Sequence, residues 1–173
     1  MAIAAAASQA SAAMPGAFSS TDTGVAFAVE KVCLTYLREG GHVADYVGGY
    51  ARTVREDGKP VLKIFGNGHV TVREDERGGC EVKVERGNGA RLRDAVINTL
   101  ADAGLRTEPF ADYEPILRGR DWAFVQETHC LRMYDIVYIA SIASSASGAR
   151  MPLQVTIFRD REGIAAKKGL CQG

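Results

Sequence analysis

Between Val61 and Gly104 the hydrophobic positions first alternate every second residue and then recur every fourth. Val70 and Val72 alternate with His69, Thr71 and Arg73. Cys80, Val82 and Val84 alternate with Glu81, Lys83 and Glu85. Each segment therefore has one apolar and one polar face, the signature of half-buried strands. With the opening run Val61–Phe65 they predict a three-stranded antiparallel meander. Parallel strands covered on both faces would read as continuous apolar runs instead. Gly66-Asn67-Gly68 and Gly78-Gly79 supply the turns, because glycine and asparagine tolerate positive φ. After Gly89 the period lengthens: Leu92, Val96 and Leu100 fall on one stripe of a helix, with Asn88 as N-cap and Gly104 just past its end.

The flanking segments extend this unit. Gly24–Gly40 predicts a first helix with a broad stripe of Phe27, Val29, Val32, Cys33, Tyr36 and Leu37, capped by Thr21, Asp22 or Thr23. A second helical piece, His42–Arg52, carries Val43, Tyr46, Val47 and Tyr50, and Gly48-Gly49 should shorten or break it. Asp57-Gly58-Lys59-Pro60 is a turn into the meander. Arg106–Asp121 reads as a loop with one helical turn at Tyr113–Leu117, and Trp122–Glu127 as a strand. Cys130–Ile142 reads as one long strand with apolar residues on both faces, and Pro152–Arg159 as the last strand, after a small-residue loop at Ala143–Arg150. Helices and strands come in blocks, so the predicted class is α+β: a mainly antiparallel sheet of about six strands with two or three helices on one face. The order also reads as two halves, each a helix followed by three strands.

Length sets one domain as the default for 173 residues. That domain is expected over residues 24–160, with a flexible C-terminal tail over 161–173. Twenty-one basic and 21 acidic residues cancel, against the basic excess of a nucleic-acid binder, and no apolar run is long enough to span a membrane. Met1–Thr23 is nearly all small residues. It reads either as a signal-peptide remnant, with small-x-small pairs around Ala7–Ala13, or as a disordered leader.

Four cysteines, Cys33, Cys80, Cys130 and Cys171, are an even number without a CxxC pair. An exported chain would form disulfides from them. Cys33 lies on the stripe of the first helix and Cys80 on the apolar face of a strand, so a Cys33–Cys80 bridge is favoured, with Cys130–Cys171 as the second pair. The first would close a loop of about 48 residues, contributing roughly 4 kcal/mol in the chain-entropy model. Reduced, buried cysteines acting as small hydrophobes are the alternative.

Catalytic patterns are weak. His42, His69 and His129 lack HxH or HExxH spacing, and no GxSxG elbow occurs. Cys130 could act as a nucleophile with His42 or His69. Its neighbour His129 would face the other side of the strand. Gly87-Asn88-Gly89 before a helix is anion-site geometry in outline, but without GxGxxG or GxxxxGK[ST] it reads as a capped turn. Trp122, Phe124, Arg132, Tyr134, Tyr138 and Phe158 form a candidate partner-binding surface, against which stands the reading that the aromatics fill the core.

The expectation is an exported (periplasmic or secreted), non-catalytic binding or inhibitor-like domain without cofactor or metal, whose partner is another protein or a second copy. The alternatives are a cytosolic adaptor or chaperone-like dimer, and an enzyme centred on Cys130 or a histidine.

Overall fold

The computed structural model describes residues 18–66, 69–105, 108–109, 115–117, 123–145, 150–161 and 163–167. The first helical run comprises α1 (Thr21–Phe27), a π-helical stretch (Ala28–Leu34) and α2 (Thr35–Glu39), without a break. Its N-cap is Ser20, whose hydroxyl accepts from the Thr23 amide at 3.2 Å. The helix thus begins inside the segment that composition assigns to a leader. Phe18 belongs to the fold too: its ring packs on Phe27 and Tyr50, with centroids 4.9 and 5.6 Å away. The leader expected over residues 1–23 therefore gives up Phe18–Thr23, and the remainder lies outside the described residues.

No α-helix forms over His42–Arg52. Two 3-10 turns, Val43–Tyr46 and Gly48–Tyr50, lead directly into β1 (Ala51–Glu56). The first is held by Asp45, whose carboxylate accepts from the His42 amide at 2.8 Å. A glycine pair, with Gly48 at positive φ, leaves too few good helix formers to propagate a longer helix. The strands continue as β2 (Lys59–Ile64), β3 (Val70–Glu74) and β4 (Cys80–Val84). Asn67 and Gly68 of the expected first hairpin turn lie outside the described residues. Gly78, at φ +74, makes the second turn. α3 (Gly89–Asp102) follows, with the Asn88 side chain accepting from the Arg91 amide at 3.1 Å as its cap.

The second block differs from its prediction in one instructive place. Two short strands, β5 (Glu108–Pro109) and β6 (Pro115–Leu117), interrupt the expected loop, and Pro115–Leu117 is strand where a helical turn was expected. β7 then runs unbroken from Ala123 to Met133, the chain turns at Tyr134-Asp135, and β8 covers Ile136–Ser145. The single long strand predicted over Cys130–Ile142 is therefore the two arms of a hairpin. Tyr134 enters the left-handed region at φ +54, a conformation for which tyrosine gives no sequence signal. β9 (Leu153–Arg159) and a short α4 (Ile164–Lys167) complete the described chain. The start of the expected tail is thus ordered: the Asp160 carboxylate accepts from the Ala165 amide at 2.8 Å, and Ala165 is buried.

All strands join one antiparallel sheet in the order β1-β2-β3-β4-β9-β8-β7-β5, with β6 also paired to β7. Seven of the nine described strands have five residues or more. The fold is α+β, and its two helix-plus-meander halves meet where β4 pairs with β9 and Val82 lies opposite Val155. The helices cover one face. There Val29, Val32, Leu92, Val96 and Leu100 bury themselves on Val72, Val82, Val84, Val155, Ile157 and Ile142. A disulfide joins Cys33 to Cys80 across 5.4 Å between Cα atoms, fixing the helix to β4. It links the stripe residue and the strand residue that the sequence favours as a pair. Cys130 is also disulfide-bonded, and Cys171 lies outside the described residues.

Candidate functional site

A cavity able to take a ligand opens where β2 and β3 part. Their ladder holds only two register pairs, Leu62 opposite Val72 and Lys63 opposite Thr71. By contrast β1 and β2 pair from Ala51–Ile64 to Glu56–Lys59. Continuing the β2–β3 register would bring Pro60 opposite Glu74. The Phe65 amide donates to the Tyr50 carbonyl, so alternate β2 residues turn their backbone towards β1, and Leu62 and Pro60 turn theirs towards β3. The Asp75 amide donates to Gly79, so by the same alternation the backbone of Glu74 faces β2. Proline has no N–H to offer at that point, and the ladder ends there.

The strands splay beyond it around a cavity of about 470 Å³. Its apolar lining comes from Val43, Val61, Leu62 and Val72. Its rim carries Glu74, Asp75, Glu76 and Glu81 against Lys59 and Arg73. That size is within the usual range for ligand sites.

Glu81 anchors the inner wall. The Arg73 guanidinium donates to both its oxygens, at 2.8 and 3.1 Å from one nitrogen, and Lys83 approaches to 2.8 Å. Burial alone would raise the Glu81 pKa, but the hydrogen bonds from Lys83 and Arg73 outweigh it and hold the carboxyl below its ordinary value. Glu74 accepts from the Val43 amide at 3.0 Å and lies 3.1 Å from the His42 ring. Glu76, at the exposed edge, pairs with Lys59 at 2.7 Å, which lowers its pKa. Tyr36 senses the net negative rim: burial raises its phenol first, and the charges of Glu74 and Asp75 raise it further, against Arg161.

A second cluster is sealed under α3. Arg93 bonds Glu127, and the other oxygen of Glu127 lies 2.9 Å from His129 Nε2. Strand alternation puts Glu127, His129 and Leu131 on the helix-facing side of β7, where Glu127 and His129 are 4 % and 2 % exposed. Nδ1 of His129 has no hydrogen-bond partner among the described residues. A carboxylate that orients an imidazole is half of a general-base pair, but here both groups are nearly fully buried and Arg93 pairs with the carboxylate.

The three histidines do not converge. His42 and His129 face Glu74 and Glu127, and His69 lies 3.0 Å from Glu85. Among the described residues no group of metal-ligating side chains forms. Cys130, in a disulfide, has no thiol to serve as a nucleophile, and it faces away from His129. The candidate aromatic surface divides. Tyr138 is core: it is buried, and its hydroxyl donates to the Leu37 carbonyl at 3.2 Å. It is therefore withdrawn from the surface set. Arg132 and Tyr134 are exposed and Phe158 is half-buried. Trp122 and the Phe124 side chain lie outside the described residues. Periodicity missed both clusters. Pro60 at the start of an apolar run was the available sign of a broken ladder, and the alternation Glu127-His129-Leu131 was the sign of buried charge.

No helix among the described residues is long and apolar enough to cross a membrane. No protein-family model, curated protein or solved structure matches the chain.

Proposed function

We propose that this chain is an exported, non-catalytic binding domain that takes its ligand in the wedge between β2 and β3. The observation that carries this reading is the wedge itself: a cavity of about 470 Å³ lined by both apolar and charged side chains, where the β2–β3 ladder stops after two pairs. Disulfides at Cys33–Cys80 and at Cys130 support export, because such bonds persist in oxidising compartments. The small-residue leader supports it as well. Amide spectra of the labelled chain against a set of small amphipathic compounds test the site. Shifts are expected at Thr53, Val61 and Arg73, and shifts confined to other faces refute it. A phosphatase fusion to the full N-terminus tests export, and an inactive fusion held in the cytosol refutes that part.

Tyr134 favours a second reading. It is 89 % exposed at the β7–β8 tip, in a backbone conformation that costs a tyrosine energy. With Arg132 and Phe158 it would form a contact surface for another protein or a second copy. Light scattering tests the second-copy form: a dimer that Tyr134→Asn dissociates supports it, and a monomer at all concentrations removes it.

A further inference from the structure

We propose that the wedge is a docking slot for an extended, basic peptide segment of a partner protein. A lysine or arginine side chain of the peptide enters the cavity, while its main chain bonds to the strand edge that Pro60 leaves open. This rests on the reading of the wedge as the ligand site, and it names the class of ligand.

Three features converge on that occupant. The first is charge. Four carboxylates and two cations line the cavity, and Glu81 is already committed to Arg73 and Lys83. Glu74 and Glu76 stand at the mouth, 41 % and 83 % exposed; Glu74 holds the Val43 amide and the His42 ring, and Glu76 pairs with the exposed Lys59. An incoming ammonium or guanidinium can share these carboxylates or replace Lys59, forming charge-assisted hydrogen bonds. The Tyr36 phenol is raised first by burial, with a further contribution from the charges of Glu74 and Asp75.

The second feature is the apolar lining. Ala44, Pro60 and Leu62 offer the accessible apolar surface of the cavity, over the buried Val43, Val61 and Val72. Long basic side chains bury an apolar stem and keep the charged head near water, which suits apolar surface beside acidic groups. An anionic or purely apolar ligand matches only one of the two.

The third feature is the backbone. Glu74 directs its N–H and C=O towards β2, and Pro60 directs only a carbonyl back. Peptides that add to an open strand edge gain affinity from main-chain hydrogen bonds and specificity from pockets for alternate side chains. The wedge provides both at one place, with β1 beside it as an exposed edge strand.

The test uses the full, oxidised, isotope-labelled chain and two ten-residue peptides, one alternating lysine with threonine and one alternating glutamate with threonine. The lysine peptide is expected to shift the amides of Thr53, Val61, Arg73 and Glu74, with binding that weakens as salt is raised. Glu74→Gln combined with Glu76→Gln should weaken it at least tenfold. Glutamine keeps the acceptor oxygen for the Val43 amide, so the turn stays in place. Pro60→Thr restores an N–H facing Glu74 and should zip the ladder and abolish binding while the rest of the spectrum is unchanged. Equal shifts from the glutamate peptide overturn the basic-peptide proposal and leave the wedge standing as a ligand site. Lysine-peptide shifts elsewhere, or binding indifferent to both variants, overturn the proposal too. If neither peptide moves the wedge amides the proposal also falls, and the response of those amides to the small amphipathic compounds then decides the wedge itself.

Discussion

Gly89 stands so close to Ser145 that a Cβ at position 89 would lie 2.1 Å from the Ser145 carbonyl oxygen and 2.7 Å from that of Pro152. The first turn of α3 docks directly on the ends of β8 and β9, and only a hydrogen fits between. Both close neighbours are backbone, so neither can rotate away. Gly89→Ala should therefore cost about 3 kcal/mol or more, the upper end for overpacking. A urea midpoint for the variant close to that of the parent would show that the helix can slide outward.

The Cys33–Cys80 bridge closes a long loop between the first helix and β4. Replacing both residues with alanine should lower stability by roughly 4 kcal/mol, from the looser unfolded chain and the lost core volume. Denaturant midpoints of the oxidised parent and the double variant measure it. A change below about 1 kcal/mol would mean that packing alone holds helix to sheet.

Glu81 makes stability sensitive to acid. Its folded-state pKa lies below that of an unfolded glutamate, near 4.3. The unfolded chain thus takes up the proton first as pH falls. The stabilisation is complete above the unfolded value and is lost as pH drops through the folded one. Glu81→Gln should cost about 2 kcal/mol near neutral pH, as expected for hydrogen bonds to a charged group. The gap between parent and variant should shrink towards acid. Urea midpoints across that range check it, and a gap that widens in acid would contradict the sign.

Removing Arg93 strips a cation from a nearly fully buried carboxylate at Glu127. Arg93→Met should cost about 3 kcal/mol, because the buried charge loses compensation. Arg93→Met with Glu127→Gln should recover much of it, since a neutral amide needs no buried cation and still offers an oxygen to His129. Thermal unfolding of the single and double variants distinguishes the two. A double variant less stable than the single would show that Glu127 is needed by further groups.

The sequence made one layer of this protein legible and left another dark. Strict alternation in β3, β4 and β9 and the four-residue stripe of α3 located those elements and their buried faces, since burial on one side leaves a period. Cys33 and Cys80 were legible for the same reason: each stands on an apolar face. β1 was invisible because its only aliphatic residues are Ala51 and Val54. The β7–β8 turn was invisible because Tyr134, unlike glycine or asparagine, carries no local preference for positive φ. The wedge depends on which way one proline's missing donor faces, and that is fixed by strand pairing across the sheet, not by any local pattern.

The seam between β4 and β9 sets the order in which the molecule can be assembled. Residues 80–84 find their partners at 153–157, after α3 and the whole second meander have been made. A chain emerging from its N-terminus can complete the first helix, β1–β4 and the Cys33–Cys80 bond while the outer border of β4 still has nothing to pair with. During that interval Val82 and Val84 sit on an unprotected rim, the kind of surface on which nascent chains associate with one another. Delay between the two halves during synthesis lengthens the time for which that rim is exposed to association.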